Sequence, residues 1–258
     1  MHRIDELFQR KKEDVLNIYF TAGYPKLDDT RTVLKALQDG GVDLIEIGIP
    51  FSDPVADGPT IQESNMQALD NGMTMQKLFA QLEGFREEVD VPVVVMGYFN
   101  PIMQYGLEKF CKDAQRVGID GIIVPDLPMI EYLSNLKEMF DAHGIRNTFL
   151  ISPQTTDDRI VEIDQNTEGF IYMVSSASVT GAKTGISEEQ IDYFKRIEGM
   201  NLKNPRLIGF GISDHASFKQ ASSYANGAII GSAFVKLIGQ SKDLNKDIQG
   251  FVKSIKGE

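Results

Sequence analysis

The sequence of 258 residues has one cysteine, three histidines and no long apolar run, and each shortage excludes a class of protein. Cys111 cannot form a disulfide within the chain, and its place in a helical pattern is typical of a small core residue. No stretch approaches the length of about 18 apolar residues that a membrane helix needs, so we expect no membrane partner. The first ten residues are charged and lack an apolar signal core, so we expect a cytoplasmic protein.

Positive charge is also scarce, because 26 Lys and Arg stand against 37 Asp and Glu, for a net charge of −11. Such a balance argues against a nucleic-acid partner. It also repels small anions over the whole surface. A phosphate group on a substrate would therefore have to be held locally, by backbone N–H groups and helix N-termini.

Several kinds of catalytic group are missing as well. His2, His143 and His215 are scattered along the chain, without metal-ligand spacing. The predicted strand at 169–175 and its neighbours contain no Lys, which argues against a Schiff-base aldolase. No nucleophile-elbow Ser and no Cys–His pairing is present. These absences leave proton transfer to the carboxylates.

Apolar runs and amphipathic segments alternate along the chain. Strands are predicted at 16–21, the first part of 43–58, 91–98, 121–126, 148–151, 169–175, 206–211 and 227–231. Helices are predicted at 4–12, 28–39, 60–71, 74–88, 107–117, 131–142, 157–165, 188–197, 214–223, 232–239 and 243–255. No linker divides the chain, so the pattern predicts one domain over 1–258, a (β/α)8 TIM barrel with short extra helices at the N-terminus and after strand eight. A doubly wound open sheet is the alternative.

The stretch 43–58 begins as an apolar strand and ends as a loop with two carboxylates, Asp53 and Asp57. Side chains alternate along a strand, so Ile45 faces the helices while Glu46 faces the barrel interior near its C-terminal mouth. Burial there would raise the pKa of a lone carboxylate, which favours an acid–base role. The alternative is a structural Glu paired with a core cation. The predicted strands contain no Lys, and only Arg206 begins one, at the opposite end.

Asp57 lies in the loop that returns over the mouth, eleven residues after Glu46. Two carboxylates in different environments can divide roles, one exchanging protons and the other staying ionised. Taken alone, Asp57 could equally be a helix cap or a solvated charge. For Asp53 we expect capping or contact with a partner.

Glycine turns follow predicted strands seven and eight, where barrels often bind phosphate. Gly209 and Gly211 follow the first, and Gly231 with Ser232 follows the second and opens a helix. The loop 178–181 could close over a ligand. Four aromatic residues near strand ends fit either core packing or a flat apolar ligand: Tyr19, Tyr98, Tyr172 and Phe210.

Seven segments together resemble the tryptophan synthase α-subunit family over essentially the whole chain. They are 21–25, 45–62, 96–101, 124–128, 179–181, 209–213 and 230–232, and 45–62 is the most specific. The resemblance implies retro-aldol cleavage of indole-3-glycerol phosphate to indole and glyceraldehyde 3-phosphate, without metal or organic cofactor. It also implies a β-subunit partner in an α2β2 heterotetramer, whose pyridoxal phosphate site joins indole to serine. The 50–60 loop and neighbouring mouth loops are the implied contact region.

The resemblance also implies residue roles. Glu46 would shuttle the proton to indole C3 and from the glycerol hydroxyl, Asp57 would accept the indole N–H, and Tyr172 would orient the site. The implied indole side comprises Tyr19, Ile61, Met96, Phe210 and Thr180, the last pairing with Asp57 on loop closure. The implied phosphate cradle comprises Gly181, Gly211, Gly231 and Ser232.

The chain departs from the family pattern at Ser176 and Ser178, which replace the usual Arg and Gly, and at 129–130, which is less acidic. These departures leave open how the loop 176–187 closes and how strongly a partner activates the enzyme. A stand-alone indole-releasing lyase and a non-catalytic activator of the β subunit are alternatives. Other phosphate-binding barrels, such as sugar isomerases, share the glycine cradle but not the 46–58 stretch.

Overall fold

Nine parallel strands form the sheet of this computed structural model, which describes residues 1–55, 57–175, 187–209 and 211–258. The strands are β1 (Val15–Thr21), β2 (Leu44–Gly48), β3 (Val93–Met96), β4 (Gly121–Ile123), β5 (Arg146–Thr148), β6 (Leu150–Ile151), β7 (Ile171–Val174), β8 (Arg206–Gly209) and β9 (Gly227–Ile230). Their order is β5-β4-β3-β2-β1-β9-β8-β7-β6. Neighbouring strands pair in parallel throughout this order.

The two ends of the sheet, β5 and β6, are separated along the chain by Phe149 alone. β5 pairs with β4 and β6 pairs with β7, so one short segment joins both edges and brings the sheet round into a nearly closed barrel. The predicted fifth strand therefore exists as two pieces. The (β/α)8 prediction is confirmed, and the doubly wound alternative is wrong.

Helices surround the strands, and the first of them lies at the N-terminal end of the barrel. Those in the described ranges are α1 (Arg3–Arg10), α2 (Thr30–Gly40), α3 (Pro59–Asp70), α4 (Met75–Gln81), α5 (Phe99–Tyr105), α6 (Leu107–Val117), α7 (Met129–Glu131), α8 (Lys137–Ala142), α9 (Asp157–Asn166), α10 (Glu188–Glu198), α11 (His215–Ser222), α12 (Ser232–Gln240) and α13 (Leu244–Lys256). A π-helical turn, Tyr132–Leu136, joins α7 to α8. Each helix that the structure describes is too short or too polar to span a lipid bilayer.

Two helical segments differ from the predicted pattern. α5 is not among the predicted helices. Its Pro101 is the third helical residue, where the missing N–H removes no internal hydrogen bond. The helix predicted over 74–88 stops at Gln81, because Gly84 adopts a left-handed conformation (φ 67°) and a separate 3-10 turn, Phe85–Glu87, follows.

The two faces of the strands pack in different cores, as the alternation predicts. Ile45 and Ile47 belong to the large core between the strands and the helices. Leu44 belongs to a smaller cluster inside the barrel, together with Leu207 and Ile229. Glu46 lies two residues after Leu44 on the same face and is fully buried. The prediction that it faces the interior is confirmed.

The N-terminal end of the barrel is filled by α1. Ile4, Leu7 and Phe8 are buried in the interior cluster, and the rings of Phe8 and Phe170 lie 6.1 Å apart. Arg146, the first residue of β5, pairs with Asp5 at 3.1 Å at this end. The prediction that only Arg206 begins a strand is therefore wrong, because β5 starts earlier than predicted. Both arginines begin strands and so lie away from the mouth.

Candidate active site

Glu46, at the centre of β2, is completely buried inside the barrel. The Asn17 amide on β1 donates a hydrogen bond to its Oε2 at 3.0 Å, and Oε1 has no hydrogen-bond partner among the described residues. Burial raises the pKa of Glu46 to about 8, the Asn17 hydrogen bond lowers it, and the charge of Asp57 raises it. A carboxyl group with this pKa can give and accept a proton near neutral pH. Its hydrogen bond comes from a neutral amide rather than from the cation that a structural Glu would need.

Asp57 lies in the loop after β2, half-buried at the mouth. The Tyr98 hydroxyl donates a hydrogen bond to its Oδ2 at 3.3 Å. Burial raises the pKa of Asp57 to about 6, although the Tyr98 hydrogen bond lowers it. Asp57 therefore ionises at lower pH than Glu46, as a division of roles requires. Asp53, by contrast, is exposed and accepts a hydrogen bond from Ser52 at 2.5 Å.

Tyr19 on β1 and Tyr172 on β7 each lie against a glycine of the neighbouring strand. A Cβ added at Gly48 would come within 2.8 Å of a Tyr19 ring carbon, and one at Gly209 within 2.6 Å of Tyr172 Cζ. Burial is the largest cause that raises the pKa of both hydroxyls, and the charges of Glu46 and Asp57 raise it further. Both hydroxyls therefore stay protonated beside the two carboxyls.

An apolar wall lies next to these groups. Tyr19, Ile61 and Val235 form one buried cluster, against which Met96 packs. Tyr19, Asp57 and Met96 also line a small pocket. The structure thus brings together three residues of the expected indole side, Tyr19, Ile61 and Met96, and places Asp57 beside them.

The expected phosphate residues lie at the ends of β8 and β9. Gly211 has φ 81°, and a Cβ placed there would meet no atom of the described residues within 4 Å. Gly231 precedes α12, whose N-terminus has no side-chain cap, and exposed Ser232 is its first residue. Uncapped N–H groups at a helix N-terminus favour an anion. A Cβ on Gly231 would lie 3.6 Å from Tyr19 Cδ1, so this end borders the apolar wall.

Three expected site residues, Thr180, Gly181 and Phe210, lie outside the described residues, and their roles stay predictions. Within the described ranges, His, Cys, Asp and Glu side chains form no group of three or more that could hold a metal ion.

Sequence reasoning missed several polar partners. Asn17 and Thr21 flank Tyr19 on the inward face of β1, and this alternation of polar residues in an apolar strand could have revealed them. Thr21 Oγ1 lies 2.7 Å from Ser64 Oγ and 3.4 Å from the Tyr19 hydroxyl, which ties β1 to α3. The sequence places Tyr98 near the mouth, but no pattern in it indicates Asp57 as the partner of the Tyr98 hydroxyl.

The model of the family described as tryptophan synthase alpha chain matches residues 6–256. The chain belongs to this family. The tryptophan synthase alpha chain of Christiangramia forsetii is 55% identical over 256 residues, 99% of both chains. That of Flavobacterium psychrophilum is 58% identical over 236 residues, 92% of this chain and 93% of the relative. The solved tryptophan synthase A-subunit of Pyrococcus furiosus is 37% identical, with a TM-score of 0.87 over 96% of this chain and 100% of that chain.

Membership in the tryptophan synthase alpha chain family confirms the resemblance in the sequence. Of the departures from the family pattern, Ser176 and Ser178 lie outside the described residues. Ile130 follows β4 at the mouth side of the barrel and is 76% exposed.

Proposed function

We propose that residues 1–258 act as one barrel domain that cleaves indole-3-glycerol phosphate to indole and glyceraldehyde 3-phosphate. Membership in the tryptophan synthase alpha chain family supports this proposal. The observation that carries it is the pair of carboxyls, Glu46 buried inside the barrel with a pKa of about 8 and Asp57 at the mouth with a pKa of about 6. At neutral pH such a pair holds one acid and one anion.

The two carboxyls would divide the reaction between them. Protonated Glu46 gives its proton to indole C3, and the positive charge that develops on the ring nitrogen is stabilised by ionised Asp57. Glu46, now a carboxylate, takes the proton of the hydroxyl on the carbon bonded to C3. The C3–carbon bond breaks, its electrons return to the ring, and the aldehyde forms. Glu46 ends the cycle protonated, so no proton is gained or lost.

The rest of the site would bind the substrate. The wall of Tyr19, Ile61 and Met96, with Phe210, fits a flat apolar ring. Gly211, Gly231 and Ser232, with Gly181, would surround the phosphate through backbone N–H groups, which suits a protein with a net charge of −11. Tyr172 would orient the substrate, and Thr180 would contact Asp57.

The direct test is indole release from indole-3-glycerol phosphate by the purified chain, with and without an added β subunit. Release by the chain alone that increases with the β subunit supports the proposal. Full release that the β subunit leaves unchanged favours the stand-alone lyase. No release under either condition, together with faster tryptophan formation by the β subunit, favours the non-catalytic activator and contradicts the proposal.

We also propose that the mouth docks a β subunit, in an α2β2 assembly. Large apolar side chains are exposed just after the C-terminal ends of β2, β3 and β4: Val55 (83%), Met103 (53%) and Ile130 (76%). Exposed apolar residues grouped on one end of a barrel fit a protein interface.

Val55→Ser combined with Ile130→Ser should weaken the complex with the β subunit, as measured by sedimentation velocity. The matched control is Val161→Ser, on exposed Val161 (42%) of α9. An unchanged complex with both double variant and control would contradict this surface.

A further inference from the structure

Asn17 is a polar residue at the centre of an apolar strand. It is fully buried, and its neighbours on both adjoining strands, Leu44 of β2 and Ile229 of β9, belong to the cluster inside the barrel. The Asn17 side chain therefore faces the interior. A buried amide is costly unless its polar atoms are hydrogen-bonded, so an apolar residue would serve packing alone better.

The Asn17 amide is directed at one atom of Glu46. Nδ2 donates to Glu46 Oε2 at 3.0 Å, while Asn17 Oδ1 has no hydrogen-bond partner among the described residues. The burial of this amide therefore serves its contact with the carboxyl group. The terminal torsion of a Glu side chain is broad and roughly two-fold, so an unheld carboxyl can present either oxygen. The Asn17 contact removes that equivalence.

We propose that Asn17 is a positioning residue, which holds Oε2 of Glu46 in the barrel wall and leaves Oε1 as the oxygen that exchanges a proton with the substrate. This inference rests on the proposed function, in which Glu46 both gives and takes one proton. Asn17 itself touches no reacting atom in this scheme. Its contribution is to keep the same oxygen in reach for both transfers, as a preorganised site requires.

The groups around Glu46 act on its proton affinity in opposite directions. Burial and the charge of Asp57 favour the protonated carboxyl, and the Asn17 amide favours the carboxylate. The hydroxyls of Tyr19 and Tyr172, whose own pKa values are raised partly by the charge of Glu46, face the same site. Loss of the Asn17 donor leaves the other influences in place, so the pKa of Glu46 should rise.

The test is Asn17→Leu, which keeps the shape of the side chain and removes the donor. We expect kcat to fall about 10- to 100-fold with KM within about threefold, because orientation rather than binding is lost. In the pH profile of kcat/KM, the basic limb is the fall in rate where Glu46 loses its proton. We also expect this limb to move to higher pH, by about half to one unit. Asn17→Ser retains a hydroxyl donor, so its fall in kcat and its shift of the basic limb should both be smaller than those of Asn17→Leu. If Asn17→Leu folds poorly, Asn17→Ser is measured in its place.

The matched control is Asn147→Leu. Asn147 is a buried strand asparagine whose amide has no partner among the described residues, and it pairs in register with outward-facing Ile122. Asn147→Leu should leave the basic limb of the kcat/KM profile at the same pH as in the wild type. Equal losses in both asparagine variants, or a lower kcat at every pH with an unmoved limb, would overturn the positioning role.

A second measurement separates this inference from the proposed function. Titration of Glu46 by 13C NMR, assigned with Glu46→Gln, needs no turnover. If wild-type protein releases no indole, the proposed function fails. In that case, a Glu46 pKa that still rises in Asn17→Leu would support the hydrogen bond from Asn17 to the Glu46 carboxyl, although not its role in catalysis. An unchanged Glu46 pKa would overturn the hydrogen bond as well.

Discussion

The Tyr98 hydroxyl donates a hydrogen bond to Asp57 Oδ2 across 3.3 Å and so links the end of β3 to the loop after β2. This bond lowers the pKa of Asp57, yet burial outweighs it and leaves the pKa at about 6. The proposed reaction needs ionised Asp57 and protonated Glu46. The pH profile of kcat/KM should therefore rise through about 6 and fall through about 8, where Glu46 loses its proton.

Tyr98→Phe should move the acid limb of that profile to higher pH, by up to about one unit, because the hydrogen bond that favours the carboxylate is gone. The substrate phosphate also titrates near about 6, but its pKa is the same with both enzymes, so a shift belongs to Asp57. Tyr105→Phe is the matched control, since the Tyr105 hydroxyl binds a different carboxylate, Asp113, at 2.6 Å. An acid limb that stays in place in Tyr98→Phe would contradict the assignment to Asp57.

Glu46→Gln should abolish indole release while the substrate still binds, because the amide has the same shape but cannot supply the proton. Steady-state kinetics measures the first effect, and calorimetric titration with indole-3-glycerol phosphate measures the second, where we expect a Kd within a few-fold. Substantial remaining turnover would contradict the proton-shuttle role. Asp57→Asn should likewise reduce kcat more than binding.

Glu46→Gln should also stabilise the protein at alkaline pH. The pKa of Glu46 is raised from 4.5 to about 8 on folding, so its contribution to stability is complete below about pH 4.5 and is lost as pH rises through about 8. Gln cannot lose a proton in this range. The free energy of unfolding of Glu46→Gln should exceed that of the wild type by a margin that grows from pH 5 to pH 9, to roughly 5 kcal/mol at most. Urea titrations at both pH values measure it, and a constant margin would count against the raised pKa.

Gly48→Ala should destabilise the barrel by about 1–3 kcal/mol, because the new methyl group overlaps the Tyr19 ring. Tyr19→Leu should make the double variant more stable than the sum of the single effects predicts, since it removes the ring from that space. Gly250→Ala is the control, because a Cβ at this helical position meets no atom within 4 Å in the part of the chain that the structure describes. It should be neutral or stabilising by up to about 1 kcal/mol. If the losses in free energy of unfolding of Gly48→Ala and Tyr19→Leu were additive, the space at Gly48 would not be needed for the Tyr19 ring.

Chelators and borohydride should leave indole release unchanged. The proposed chemistry uses carboxyl protons alone, so it needs neither a Lewis acid nor a lysine imine. The check is the initial rate after dialysis against EDTA, and after borohydride treatment in the presence of substrate. Inactivation by either reagent would require a different electrophile.

The barrel and the direction of Glu46 could be predicted because both depend on local periodicity. Ile45 and Ile47 repeat at the spacing of a strand, which fixes the face that Glu46 shares with Leu44. Glycine stops such as Gly118 (φ 90°) also end helices where the pattern indicates, at Val117 in α6. These signals lie within a few residues of the feature that they specify.

The rest depended on contacts between distant segments. Asn17 and Glu46 are 29 residues apart, and Tyr98 and Asp57 are 41 apart, so no spacing in the sequence indicates either hydrogen bond. The break of strand five at Phe149 depends likewise on which partner each half meets, β4 on one side and β7 on the other. Pairing of this kind is decided by the closure of the barrel as a whole.

The packing of α1 into the lower end of the barrel has a kinetic consequence. Ile4, Leu7 and Phe8 fill that end, so in the part of the chain that the structure describes a substrate must approach Glu46 from the opposite end, the mouth, where Asp57 is half-buried. Substrate must enter, and both products must leave, by the same opening. Either product that lingers then blocks the next turnover, and each should inhibit in competition with the substrate. A molecule bound at the rim of the mouth would control both substrate entry and product release without contacting a catalytic side chain.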